Sequence, residues 1–417
     1  MTRFGRLARN HDFTVLWTGA TISELGSRMS MFVFPLLAFQ LTGSAFVAAL
    51  AETAHLLGLA VALLPAGVLA DRFDRRRLMR LASGSGVLLY VSLVVAAMAG
   101  ALTMPHLLGV AVLTGAGAGL LAPAEISAVR SVVATDELPT ALSQHQARQH
   151  VASLVGAPIG GLLYAVTRWL PFAVDAVSYA VSWFMLGRIR TDLSAPEVAG
   201  RRPRPRHELV AGLRFIRQHP FLRVHLVWAV LTNLVVNALF FTAVLRLIQG
   251  GFPPLQIGLV ETAAGVFGVL GALAAPSIID RFATGHLTIA IAWSLTPLVV
   301  PMALVNNPAV VAAALGIGLF LNPAGNAGIG AYRIAVTPDE LQGRIQSTTQ
   351  LLSMSVLPVA PLLAGFLLGR LGGGEAVAVL GLLTALIALI PTLSPAMRTL
   401  PRPAVWRAVA PRVPVAA

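Results

Sequence analysis

Long apolar runs, separated by short polar breaks, dominate this chain from end to end. Twelve of them reach the ~20 residues that a helix needs to cross a bilayer. They lie near 13–41, 44–70, 78–101, 105–133, 142–167, 169–188, 221–248, 255–279, 284–305, 308–334, 343–369 and 375–393. The pattern predicts an all-α integral membrane protein. Three breaks, Leu41-Thr42-Gly43-Ser44, Thr103-Met104-Pro105 and Asn306-Asn307-Pro308, carry no charge, and the others carry arginine. The first run is too long for a secretory signal, contains Glu24 and Arg28, and is followed by no small-x-small cleavage site, so it is read as a span. Residues 189–220 divide the spans into two sets of six, and His207–Gln218 has the periodicity of a short amphipathic helix with Leu209, Leu213 and Ile216 on one face. The expected organisation is a six-helix bundle over 1–188, a cytoplasmic linker over 189–220, a second bundle over 221–393 and a basic tail over 394–417.

Composition agrees with the pattern. Of 417 residues 56% are hydrophobic and 11% charged, against roughly 25% charged in soluble domains. There is no cysteine, which excludes disulfides, thiol nucleophiles and thiolate metal sites. All 30 basic residues are arginine. The missing lysine excludes a Walker A phosphate loop and Schiff-base chemistry, so no nucleotide or other cofactor is expected. The net charge of +13 is a topology signal. Cytoplasmic loops attract arginine, and here arginines crowd the N-terminal tail, the loop of Arg72, Arg75, Arg76, Arg77 and Arg80, the 189–220 segment and the C-terminal tail. Only Arg168, Arg246 and Arg370 fall on the other side. Both termini are therefore expected in the cytoplasm. The run Arg201-Arg202-Pro203-Arg204-Pro205-Arg206 reads as a solvated linker near anionic headgroups rather than a nucleic-acid site.

The two sets of spans repeat one another. Arg130-Ser-Val-Val-Ala-Thr-Asp136-Glu137-Leu138 recurs 203 residues later from Arg333 to Leu341, and Ala157-Pro158 recurs at the same offset as Ala360-Pro361. Asp71-Arg72-Phe73 recurs as Asp280-Arg281-Phe282 at an offset of 209. Three matches in one order indicate duplication, the way many secondary transporters are built. The segment Gly67-Val-Leu-Ala-Asp71-Arg72-Phe-Asp74-Arg75-Arg76 resembles the signature of the major facilitator superfamily, Gly-x-Leu-Ala-Asp-Arg-x-Gly-Arg-Arg. Asp74 stands where the signature has glycine, and a left-handed turn is expected there. The second copy around Asp280 and Arg281 is degenerate. Asp12-Phe13…Leu16-Trp17, Ile22-Ser-Glu24-Leu-Gly26 and Ala122-Pro-Ala124 are similar to the branch of bacterial drug, macrolide and siderophore exporters. Gly156-Ala-Pro158-Ile-Gly160-Gly161 approximates that branch's exporter signature with a one-residue shift. The resemblance implies a cytoplasmic lock made of Gly67, Asp71, Arg72, Arg75, Arg130, Asp280 and Arg281, with Asp71 meeting Arg130 or a helix N-terminus. The plain alternative is that these arginines only hold the loop inside.

Charged residues inside spans are functional candidates by default. Glu24 and Arg28 are four apart on the first span, where they can pair, and Glu52 and His55 are three apart on the second. At ~1.5 Å rise per residue the four reach similar depths. Glu52, Glu24, Asp175 and His55 are thus candidate proton carriers, with a permanently satisfied pair joining the two helices as the alternative. Glu261 is expected near the outer end of the eighth span, as a gate or a snorkelling side chain. Asn233 with Asn237, and Asn322 with Asn326, form polar stripes that serve either substrate or helix–helix bonding. Together with Arg28 and Glu261 they are the candidate cavity residues. The function expected is secondary transport of a small hydrophobic or amphipathic molecule across the plasma membrane by a monomer, coupled to protons as an exporter. An importer or uncoupled facilitator is the alternative. A more distant one is an intramembrane enzyme using Asp71-x-x-Asp74 to hold Mg²⁺, but the second copy lacks the second acid, and no resident metal is expected.

Overall fold

A computed structural model of the chain describes residues 7, 9–194 and 205–405, excepting the side chains at 64, 67, 68, 70–72, 205–209, 211, 340 and 405. The expectations for the Gly67, Asp71 and Arg72 side chains, for the N-terminal tail, for most of the Arg201–Arg206 run and for the tail beyond 405 lie outside the described residues.

Twelve helices are long and apolar enough to cross a membrane, and no strand occurs among the described residues. They are α1 His11–Thr42, α2 Ala45–Arg72, α3 Arg75–Met98, α4 Met104–Val132, α5 Leu138–Val166, α6 Leu170–Arg188, α7 Pro220–Gln249, α8 Pro254–Arg281, α9 Thr284–Leu304, α10 Pro308–Val336, α11 Leu341–Leu371 and α12 Gly373–Leu393. Three of them are interrupted where the apolar pattern reads as continuous. The ninth breaks after Ser294 into a 3₁₀ turn over Thr296–Leu298, the tenth around Phe320–Leu321 ahead of Pro323, and the eleventh between Ser355 and Val359, at Pro358. Proline lacks the donor that the helix ladder needs at those points, and hydropathy does not register its loss.

Turn chemistry fixes the ends. Gly43 adopts φ +66° and closes α1, with its N–H bonded to the Phe39 carbonyl. Asp74 has φ −57° and ψ 116°, so the left-handed turn expected there does not form. Asp74 instead caps α3, its carboxylate accepting the N–H groups of Arg76 at 2.8 Å and Arg77 at 3.4 Å. Aspartate is a strong N-cap, which explains how the chain dispenses with the glycine.

Contacts divide the chain into two compact units. The first comprises Met1–Ala199 with Leu247–Thr262, and the second Gly200–Arg246 with Ala263–Ala417. Within the first, α2 and α4 meet along a glycine seam. A Cβ on Gly58 would strike the Val112 carbonyl, and one on Gly115 the His55 carbonyl. Gly156 and Gly160 do the same for α5 against Arg28 and Met29 of α1. Such small residues let helix backbones approach where no hydrophobic force drives them together. The α1 end is tied to the chain leaving α6, because Asp12 accepts the N–H groups of Arg190 (3.0 Å) and Thr191 (2.7 Å) and the Thr191 hydroxyl. In the second unit the linker helix Pro205–Gln218 packs on α11, with Gly212 against Thr348 and Ile216 buried. Arg246 donates to the Met302 carbonyl at 2.5 Å, while its own carbonyl accepts from Asn306 at 3.1 Å.

Candidate functional site

In the first unit the intramembrane charges gather around one guanidinium. Arg28 Nε donates to Glu24 Oε1 at 2.9 Å, one turn back on α1. Glu52 on α2 is buried at 3% exposure and lies within electrostatic reach of both Arg28 and Glu261. His55, one turn further along α2, is likewise near Arg28, with Nδ1 3.5 Å from Thr114 Oγ1. Neither Glu52 nor Glu261 forms an ion pair among the described residues. Glu24, Glu52 and Glu261 thus all lie within electrostatic reach of one guanidinium. Glu261, two turns into α8, lies within electrostatic reach of Arg28 and Glu52 and so joins this group. Glu52 and Glu261 stand 209 residues apart, the offset at which Asp71 repeats as Asp280, so they occupy equivalent positions in the repeat.

Asp175 occupies a different place. It is fully buried on α6, where Ser178 Oγ donates to its Oδ1 at 2.8 Å and Tyr90 and Ser30 lie close by. Around it Phe34, Tyr90, Phe172 and Tyr179 form an aromatic cluster, with centroids 5.4 Å apart for Phe34–Phe172 and 5.8 Å for Tyr90–Tyr179. Ser27 Oγ donates to the Tyr179 hydroxyl at 3.1 Å, so polar groups continue from Asp175 toward the α1 face that carries Glu24. Gly26 makes room for this, since a Cβ there would collide with Asp175 and Ser178.

A third charged group was not anticipated from sequence. Glu125 on α4 accepts from Arg148 Nη2 on α5 at 2.6 Å and lies 3.3 Å from His145 Nδ1. Arg148 is 4% exposed. The signal was available: Glu125, His145 and Arg148 are ionisable residues inside predicted spans, the same feature that singled out Glu24 and Glu52.

Where α2 gives way to α3, Arg75 is buried and donates to Ser131 Oγ on α4 at 3.1 Å. Its neighbour Arg130 is exposed, and so are Asp280 and Arg281 in the second unit.

The second unit carries an open cavity of about 310 Å³ that all four asparagines line: Asn233 and Asn237 from α7, Asn322 and Asn326 from α10. Asn237 Nδ2 donates to the Asn233 carbonyl at 2.7 Å. No Asp, Glu or Arg borders this cavity.

Repeated six-helix halves with charges buried in the spans are the build of a secondary membrane transporter. A family model described as Major Facilitator Superfamily matches residues 16–289, and the chain belongs to that family. It is 27% identical over 412 residues to the Multidrug efflux pump Tap of Mycolicibacterium fortuitum, covering 93% of this chain and 95% of that protein. Among solved structures it resembles an inward-facing bacterial homologue of the iron transporter ferroportin (TM-score 0.69, 16% identity, 93% of this chain and 98% of that one). It also resembles an inward-facing, unoccupied bacterial homologue of the lysosomal transporter Spinster (TM-score 0.71, 13% identity, 94% and 98%). The nucleoside transporter NupG matches as well (TM-score 0.69, 9% identity, 91% and 98%). At these identities the structures attest the fold alone.

Proposed function

We propose that this chain is a proton-coupled exporter of a small amphipathic molecule in the plasma membrane, working as a monomer by alternating access. The observation that carries the reading is the surplus of carboxylates around Arg28. A guanidinium between three acids cannot neutralise all of them, and a charge left over inside the bilayer is costly. Protonation of Glu52 or Glu261 removes that cost, and proton release restores it, which couples the cluster to a proton gradient. Similarity to a multidrug efflux pump along nearly the whole chain favours export over import. Transport into inverted vesicles, with and without an imposed pH gradient, tests the coupling.

The arginine distribution supports an orientation with both termini in the cytoplasm and the break at Asn306-Asn307 outside. A single cysteine at Asn307, clean because the chain has no other, is therefore labelled by a membrane-impermeant maleimide from the outside of intact cells. Labelling only from the inside contradicts the orientation.

Asp71 is assigned the cytoplasmic lock. Charge-assisted contacts of this kind contribute about 1–3 kcal/mol, enough to shift a balanced two-state equilibrium by roughly five- to 150-fold. Asp71→Asn is expected to reach the membrane at normal levels, to transport slowly, and to expose a cytoplasm-side cysteine to polar thiol reagents. Normal turnover with unchanged labelling would leave the loop as a topology signal alone.

A further inference from the structure

α3 and α6 pack antiparallel along a seam of arginines and rings that takes no part in the proton site. On α3, Arg76, Arg80 and Gly84 recur every four residues. Opposite them, on α6 and just past its end, Trp183, Gly187 and Thr191 do the same. A spacing of four keeps each set on one helix face. Arg76 Nη2 donates to the Thr191 carbonyl at 2.6 Å. A Cβ on Gly187 would lie 3.7 Å from Arg80 Cζ, and one on Gly84 would lie 3.4 Å from the Trp183 ring. These two glycines leave room for the Arg80 guanidinium to rest over the Trp183 indole, 4.1 Å from the ring centroid. Beside it, Arg188 lies 4.4 Å over the ring of Phe184, one turn back on α6.

Arginine outnumbers acid at this end of the pair. Arg76, Arg77, Arg80, Arg188 and Arg190 stand here with Asp12, Asp74 and Asp192. Each acid is already engaged. Asp12 accepts the N–H groups of Arg190 and Thr191, and Asp74 caps α3 and pairs with Arg77 at 3.8 Å. Asp192 accepts from Ser194 Oγ at 2.7 Å, with Arg76 in electrostatic reach. The guanidiniums of Arg80 and Arg188 have no ion pair or hydrogen bond among the described residues. The rings hold both in place, and their N–H donors are left for another group. Trp183, Phe184 and Leu81, directly alongside, are exposed. On spanning helices such side chains meet acyl chains, and tryptophan favours the headgroup boundary. At ~1.5 Å rise per residue Arg80 lies about 8 Å into α3, and its long stem brings the charged head back to that boundary. The fold does not need these arginines. In the second unit α9 packs on α12 with Trp293 donating to Thr392 at 3.0 Å, and Ile289 stands at the offset of 209 from Arg80.

We propose that the α3–α6 seam binds the headgroup of an anionic phospholipid. Arg80 and Arg188 donate to its phosphate oxygens, while Trp183, Phe184 and Leu81 lie against the first carbons of its acyl chains. The planar fork of arginine suits phosphate, and basic pockets between spanning helices take such headgroups. A free phosphate ion would use the guanidiniums and leave the apolar wall idle, so the site is assigned to a lipid. The inference needs only that α3 and α6 sit in a bilayer. It is independent of proton coupling and of which face is cytoplasmic.

Native mass spectrometry of the full-length protein, released from detergent micelles, measures the affinity of the first bound lipid. The probes are phosphatidylglycerol and phosphatidylcholine with the same acyl chains. Phosphatidylglycerol is expected to bind more tightly, since it alone carries net charge. Each arginine at a charged headgroup contributes about fivefold in affinity. Arg80→Gln and Arg188→Gln are therefore each expected to weaken phosphatidylglycerol about fivefold and the double variant about 25-fold, with phosphatidylcholine unchanged. Arg370→Gln is the control, because Arg370 also lies over a ring, 5.7 Å from Phe366 on α11, and it is expected to match the wild type. Should Arg80→Gln fold poorly, Arg188→Gln decides alone, since Arg188 is exposed and its ring partner is on its own helix. Millimolar inorganic phosphate is expected not to displace the lipid. Equal binding of the two lipids, an equal loss in Arg370→Gln, unchanged affinity in Arg188→Gln, or displacement by phosphate overturns the assignment.

Discussion

Glu52→Gln abolishes gradient-driven transport while leaving substrate binding and counterflow exchange measurable. Glutamine keeps the size of the side chain and its hydrogen bonding but cannot release a proton. At 3% exposure Glu52 is deep in the first unit, with Arg28 and Glu261 within electrostatic reach. The amide fixes the site in the equivalent of its protonated form. Exchange of substrate for substrate needs no change in protonation and continues, whereas net uphill movement stops. Parallel assays of counterflow and of pH-driven uptake in proteoliposomes separate the two. If uphill transport persists in full, the proton belongs to Glu261, to Glu24 or to Asp175, and the corresponding glutamine and asparagine variants identify which.

Removing the carboxylate of Glu125 has the largest expected effect on stability. Arg148 is 4% exposed, and the 2.6 Å contact with Glu125 is its ion pair. Its Nε and Nη1 already lack partners among the described residues. Glu125→Ala leaves an uncompensated buried cation beside His145, a change that costs about 3–5 kcal/mol in buried pairs. Replacing both members by apolar residues of similar size, Glu125→Leu with Arg148→Met, recovers most of that loss because no charge is left to be buried. Unfolding in mixed micelles of increasing SDS content measures both. An Ala variant within 0.5 kcal/mol of wild type would mean that water, rather than Glu125, satisfies the arginine.

Apolar runs of bilayer length made the twelve spans legible, because a chain in lipid has few other ways to satisfy its backbone. The breaks in α9, α10 and α11 were not legible, since they depend on where Pro297, Pro323 and Pro358 remove a donor within a run whose hydropathy does not change. Asp74 was misread for a similar reason: a residue type that tolerates left-handed backbone also caps helices, and only the dihedral angles decide between them. In the site, the Glu24–Arg28 pair follows from spacing on a single helix. The approach of Glu261 to Glu52 does not, because it depends on how separate helices pack. The four asparagines were visible as two stripes, but that both border one cavity is a property of helix packing.

The central claim is coupling between the Arg28 cluster and a proton gradient. Uptake of radiolabelled small amphipathic compounds into inverted membrane vesicles, with the lumen made acidic, tests it most directly. Accumulation against the concentration gradient, collapsed by a protonophore and absent in Glu52→Gln vesicles, is the predicted result. Equilibration at the same rate and to the same level with or without the pH gradient would contradict it and describe an uncoupled facilitator.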